Sequence, residues 1–359
     1  MKIYIYKLWV VILTSSLIAS CSIDVELNAP EKDIWAVFGT LNPKDSVQNI
    51  RISSGYLPES NALDYAREND LSVKGLNVVL SDGVNQWKAT EVSDIVKEPE
   101  DGIFYPFTTI YQFHTTGANA LIPGNTYSLR ITKPDNADFE LIASTSIPED
   151  MTFQNISPVP GGPGGQQRCL RPAAIEGEYK LEFSKGTGAS YELRVFLDYK
   201  ENGVSKTAVY GPTAMFSENF RCNAGGGSSS SRCYTFREKI ILQSLYNQLK
   251  PEAGKILTYG LTESTRCNVN VNDLPDDFRV EVTAMDQNLA NYRLANDPKY
   301  LDLNTIRPEY SNINGPEDAV ILGVLGSINT GIGKVRLSSC AEYLLQLNNA
   351  RQPNEPCEL

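Results

Sequence analysis

Tyr191-Glu192-Leu193-Arg194-Val195-Phe196-Leu197-Asp198-Tyr199 is the stretch that decides the fold class. Tyr191, Leu193, Val195 and Leu197 fall on one face of an extended chain, the period of two expected of a strand with one buried side. Glu201-Asn202-Gly203 follows, and Asn-Gly is the pair that tolerates the positive φ of a tight hairpin, so the chain is expected to turn back there. Similar short runs lie upstream at Ile34–Gly39, Gln48–Ser53, Asn77–Leu80 with a return at Gln86–Ala89, Tyr127–Ile131 and Tyr179–Phe183. Downstream they recur at Ala319–Leu325 and Lys334–Leu337.

Strands of this length, separated by turn chemistry, predict a mainly β protein. Residues 33–148 are expected to form an immunoglobulin-like β-sandwich, and residues 173–359 a second β-rich domain with one or two short helices. Between them, residues 149–172 include Pro158-Val159-Pro160-Gly161-Gly162-Pro163-Gly164-Gly165, which offers little to build a core and reads as a linker or long surface loop. Met285, Leu289 and Tyr292 stand at helical spacing and predict a short helix, while Asn61–Asp70 reads as a short helix or a loop. No repeat of solenoid period is visible.

The start of the chain speaks to location. Lys2 and Lys7 precede an apolar run from Leu8 to Leu13, and Leu17-Ile18-Ala19-Ser20-Cys21 ends it with small residues before a cysteine. The apolar core is too short to span a bilayer, so residues 1–20 read as a lipoprotein signal peptide. Cys21 is the expected lipidation site, and residues 21–32 the lipidated tether. Acyl chains buried at about 0.8 kcal/mol per methylene make a durable membrane anchor.

Charge and cysteine usage narrow the partners. The net charge is −11, and it becomes more negative once Lys2 and Lys7 leave with the leader. Such a surface is repelled by phosphate backbones, and no basic stripe offsets it, so nucleic acid is not an expected partner. Besides Cys21 there are Cys169, Cys222, Cys233, Cys267, Cys340 and Cys357. An even set in an exported chain predicts disulfides, with Cys222–Cys233 and Cys340–Cys357 as the local pairs and Cys169–Cys267 left over. With no Cys-x-x-Cys and a single histidine, His114, no zinc site and no metal or cofactor is expected.

Motifs for catalysis are thin. His114 lacks a Gly-x-Ser-x-Gly or His-Glu-x-x-His companion and reads as an ordinary strand-edge residue. Gly326-Ser327-Ile328-Asn329-Thr330-Gly331-Ile332-Gly333-Lys334 has the outline of a phosphate loop, but its Lys is late and Val335 replaces the hydroxyl that would bind magnesium. It is expected to be a hairpin turn. Asn268, Asn270, Asn272, Asp273, Asp276 and Asp277 alternate as calcium ligands do, but lack the glycine and distal Glu of an EF-hand and read as a solvated loop.

Pro308-Glu309-Tyr310-Ser311-Asn312-Ile313-Asn314-Gly315, ahead of an apolar strand, resembles the C-terminal signature of the Bacteroidota outer-membrane lipoproteins labelled domain of unknown function 4249. The early Phe38-Gly39-Thr40-Leu41-Asn42-Pro43, the Tyr127–Ile131 strand and the helix with Leu289 and Tyr292 agree with that likeness. Pro316-Glu317-Asp318 departs from it, standing where members run directly into a Gly-hydrophobic-Phe segment.

The resemblance implies β-rich architecture and an outer-membrane lipoprotein, and Asp24 and Glu26 just behind Cys21 favour a position facing the cell exterior. By the usual neighbourhood of such genes, it also implies partnership with a TonB-dependent transporter. The expected function is therefore a non-enzymatic accessory or ligand-capture subunit. The alternatives are an adhesion or assembly module that binds protein or glycan, and a hydrolase using a carboxylate pair.

Overall fold

β17 (Val320–Lys334) runs through the whole architecture and changes partners halfway along. Its first half lies parallel to β1 (Ile34–Leu41), with Ile34 opposite Val320 and Leu41 opposite Ser327. Its second half lies antiparallel to β16 (Phe278–Met285), with Met285 opposite Ile328 and Arg279 opposite Lys334. The fold is that of a computed structural model. It describes residues 33–55, 62–97, 105–159, 169–170, 178–184, 186–216, 231–251, 254–259, 277–296, 310–334, 336–337 and 339–348.

Strands dominate the described residues, in mixed and antiparallel sheets. A nine-stranded sheet follows the order β13 (Val204–Phe216), β12 (Ser190–Glu201), β16, β17, β1, β2 (Val47–Ser54), β6 (Phe107–His114) and β5 (Thr90–Val96). β15 (Leu257–Thr258) joins it by pairing with β12. Facing its β1–β2–β6–β5 half is a four-stranded sheet in the order β4 (Gln86–Lys88), β3 (Asn77–Ser81), β7 (Thr126–Lys133) and β8 (Asn136–Ser146). β14 (Ser231–Arg237), β11 (Glu178–Ser184) and β9 (Phe153–Val159) form a third sheet. β10 (Cys169–Leu170) pairs with β18 (Arg336–Leu337) in a two-stranded ladder.

Two hydrophobic cores flank the crossing. The first fills the space between facing sheets: Val37, Ile50 and Phe113 from one side meet Leu80, Tyr127 and Leu129 from the other. Alternation does this work, since β7 buries every second residue from Tyr127 to Ile131. The second core gathers the predicted face of β12, with Tyr191, Leu193, Val195 and Leu197 all buried, against Val280 and Val282 of β16. Two helices close it: α2 (Glu238–Leu249) through Ile241, Leu242, Leu245 and Leu249, and α4 (Ser339–Leu344) through Ala341. Two further helices are α1 (Ala62–Glu68) and α3 (Gln287–Ala295).

Several expectations change here. The expected hairpin turn at Gly326–Lys334 is the second half of β17. Its glycines answer close approach, since an added Cβ would come 2.7 Å from Leu289 Cβ at Gly326 and 2.8 Å from the Phe153 ring at Gly333. The stretch expected as linker contains β9 and β10, and Pro158 sits on the outer strand of its sheet, where a missing N–H is tolerated. β1 and β16, which lie on either side of the boundary expected near Pro148, are joined through β17, which pairs with the first in one half and the second in the other. The Asn202-Gly203 hairpin forms as expected, with φ of 51° and 85°.

Tyr111 exposes a buried polar device in the first core. Its ring is 1% exposed, and its hydroxyl donates to the Val73 carbonyl at 2.9 Å while accepting from Leu76 N–H at 3.2 Å. Burial, joined by the nearby Glu91 carboxylate, pushes its pKa up to about 12, with the Leu76 N–H acting in the opposite sense. A phenol harder to ionise when folded contributes stability that is present below the unfolded pKa near 10 and lost as pH rises toward 12. Alkaline denaturation series on wild type and Tyr111→Phe should show a steeper decline for wild type in that window. Parallel curves would contradict the assignment.

Candidate functional site

The densest buried polar cluster among the described residues lies where β17 changes partners. At Ser327 the parallel ladder to β1 ends and the antiparallel ladder to β16 has not begun, so a backbone N–H needs another acceptor. Asp286 supplies it. Its Oδ1 accepts from Ser327 N–H at 3.0 Å and from Leu289 N–H at 3.0 Å, the second bond capping the N-terminus of α3. Its Oδ2 accepts from Thr145 Oγ1 at 2.8 Å and from Asn288 N–H at 3.3 Å. Thr145 belongs to β8 of the facing sheet, so one carboxylate, 5% exposed, ties together a helix start, the crossing strand and the opposite sheet.

Ser327 and Asn329 extend the cluster. Ser327 Oγ donates to the Ser146 carbonyl at 2.9 Å, and Asn329 Nδ2 donates to the Pro148 carbonyl at 3.0 Å. Asn329 Oδ1 is buried with no hydrogen-bond partner among the described residues.

The Tyr310–Gly315 segment packs beside this cluster. Asn312 accepts from Leu325 N–H at 3.0 Å and donates to the Leu325 carbonyl at 2.8 Å, fitting its amide to the strand as another strand would. It also donates to the Ser144 carbonyl, as does Asn288, which in turn accepts from the Tyr310 hydroxyl at 2.8 Å. Asn314 exchanges two backbone hydrogen bonds with Ile142, each 2.8 Å. Gly315 lets the segment approach closely, since a Cβ would stand 2.5 Å from a terminal methyl of Leu141, which would have to shift. The motif therefore seals the outer edge of β8. Gln248 of α2 does the same for β13, bonding both N–H and carbonyl of Val209 at 3.0 and 2.8 Å.

Among the described residues, two surface clefts combine charged and aromatic side chains. One, of about 650 Å³, is lined by Asp33, Asp138, Asp318, Lys133, Trp35 and Phe139 among others. The Lys133 ammonium lies 4.6 Å from the Trp35 ring centre and 4.5 Å from that of Phe139, a cation–π contact inside an acidic rim. The other, of about 610 Å³, includes Asp198, Asp277, Lys206, Tyr199 and Tyr259. Asp198 there is engaged by Arg279 and by the Thr207 hydroxyl.

Of the residues singled out from sequence, Cys21, Cys222, Cys267 and Cys357 lie outside the described residues, as do Asn268, Asn270, Asn272, Asp273 and Asp276. Cys169 falls in β10, Cys233 in β14 and Cys340 in α4. His114 ends β6, opposite Val47, and is exposed. Sequence reasoning missed Asp286, Thr145 and Asn329. Asp286 alone carried a usable signal, an aspartate immediately before a helical period. Compared with known protein families and with curated proteins, the sequence matches none.

Proposed function

We propose that this chain is a lipid-anchored outer-membrane protein that serves, without catalysis, as an accessory or ligand-capture partner of a TonB-dependent transporter. The observation that carries the reading is the employment of the buried polar groups. The side chains of Asp286, Thr145 and Asn312 are bonded to backbone or to one another, which is the work of a frame rather than of a reacting site. A strand paired with one strand from each core gives that frame fixed relative loops, suited to presenting a surface. The leader and Cys21 supply the anchor, and an anchor raises the local concentration of a membrane partner, so modest lateral affinity suffices.

The first unit is read as immunoglobulin-like and the second as disulfide-stapled. In support, orders β1–β2–β6–β5 and β4–β3–β7–β8 correspond to strands A-B-E-D and C′-C-F-G of that sandwich. Tyr127, in the position of strand F, accepts at its hydroxyl from Ile122 N–H at 2.7 Å, as the corner tyrosine of such domains reaches back upstream.

A tagged, lipidated protein drawn from gently solubilised outer membranes should bring down a TonB-dependent channel in stoichiometric amount. Recovery without a channel would overturn the partnership. A second reading, an adhesion or assembly module for protein or glycan, draws on the exposed Tyr65, Val96 and Phe107. Protein and glycan arrays would test it.

A further inference from the structure

Trp35 and Trp87 both belong to the first core, and their indole N–H groups are treated differently. Trp87, 8% exposed, donates to the Asn119 carbonyl at 3.0 Å. Trp35 is 5% exposed, and its indole N–H has no hydrogen-bond partner among the described residues. A buried indole N–H usually finds an acceptor, so an unbonded one calls for an acceptor from outside the fold. Among the described residues, the buried side-chain polar atom sealed from solvent without a partner is Asn329 Oδ1. The Trp35 N–H therefore keeps an opening, and the opening this ring lines is the cleft of about 650 Å³. That cleft lies at one end of the first core, where β1 and β17 start together, the Asp33 carbonyl accepting from Val320 N–H at 2.8 Å. The turn between β7 and β8 completes it, so the carboxylates of Asp33, Asp138 and Asp318 share one cleft with the Lys133 ammonium. None of these four charges forms an ion pair among the described residues, and Lys133 rests on the Trp35 and Phe139 rings instead. The second cleft differs, since Asp198 is held there by Arg279, Lys206 by Glu201 and Tyr259 by Glu342.

We propose that this cleft binds a neutral, polyhydroxylated ligand, a carbohydrate. It sets two kinds of donor, the Trp35 N–H and the Lys133 ammonium, beside three carboxylates that only accept. A hydroxyl is the neutral group that both accepts and donates, so neighbouring hydroxyls of one sugar serve both sets at once. A cationic ligand would meet Lys133 and bring no acceptor to the indole, and an anionic one would meet three carboxylates. Because Lys133 already covers the Trp35 and Phe139 rings, recognition runs through hydrogen bonds to the sugar's edge rather than through stacking. Such binding rests on the ligand-capture reading, to which it adds a ligand class and a place, and it requires no channel to be present.

The purified full chain, carrying isotope-labelled tryptophan, is titrated with soluble oligomers of glucose, mannose, galactose, xylose and N-acetylglucosamine while its indole N–H signals are followed by NMR. Trp35→Phe assigns the Trp35 signal. Before any ligand is added, the Trp35 proton should exchange with solvent faster than that of Trp87, which is hydrogen-bonded. At least one oligomer should move the Trp35 signal and leave that of Trp87 in place. Asp138→Ala and Asp318→Ala, both at exposed positions, should each weaken that binding by about tenfold or more, the worth of a hydrogen bond to a charged group, with circular dichroism unchanged. No shift with any oligomer, a shift that both aspartate variants leave intact, or a shift with the polycation spermidine alone would overturn the assignment. The pull-down reads separately: a channel recovered without a saccharide shift removes the cleft's role and keeps the partnership, and a saccharide shift without a channel does the reverse.

Discussion

Gly323→Ala is expected to destabilise the protein by about 3–5 kcal/mol, the range reserved for strain and overpacking at a buried site. Gly323 sits inside β17 at φ +110°, in the region that L side chains rarely adopt. A Cβ there would stand 2.0 Å from the Val37 carbonyl oxygen and 2.8 Å from its carbon. Both obstacles are backbone of β1, so no rotamer change relieves them, and β1 must move away from β17. That ladder joins the two cores, and its loss should uncouple them. Guanidinium unfolding followed by tryptophan fluorescence should show a lower midpoint for the variant. Because Trp35 and Trp87 both report on the first core, uncoupling should appear as a fluorescence midpoint that no longer coincides with the one from far-UV circular dichroism, which also reports the second core. An unchanged midpoint would mean that β1 and β17 are not held as described.

Asp286→Ala should cost a similar amount, about 3–5 kcal/mol, because it strands several buried donors at once. Leu289 N–H, Ser327 N–H and Thr145 Oγ1 would each lose an acceptor now at 2.8–3.0 Å. Asp286→Asn keeps one oxygen for the two N–H groups and should lose less, since only the charge and the second acceptor are gone. Denaturant midpoints for the pair should fall in the order wild type, Asn, Ala. If Ala were no worse than a surface substitution, the junction would not be a structural hub. Amide exchange adds a local readout: protection at Ser327 and Leu289 should fall first in the variants.

Much of the strand content was legible because its cause is local. β12 alternates over Tyr191–Leu197, β7 over Tyr127–Ile131, and Asn202-Gly203 supplies a turn, so each could be read without knowing its neighbours. α3 was legible for the same reason, its period beginning after Asp286. α2 was overlooked although Ile241, Leu242, Leu245 and Leu249 mark its buried side at helical spacing. The glycines of β17 misled, because a glycine required by a neighbour's side chain looks in sequence the same as one required by a turn.

The candidate site divides in the same way. Tyr310–Gly315 stood out in the sequence as a motif, yet what it does depends on Ile142, Ser144 and Leu325, residues supplied by two other strands. Asp286 and Thr145 are 141 positions apart, and no local pattern links them.

The sequence by itself determined the mainly β character, the tight hairpin after β12, the buried face of that strand and the start of α3, because side-chain alternation, turn conformation and helix capping act over a few residues. Only the tertiary structure decided that β17 is one strand serving two ladders and that Asp286 repairs the gap between them. Those features arise from pairing between distant segments, where register and close approach are set by partners the local sequence does not contain.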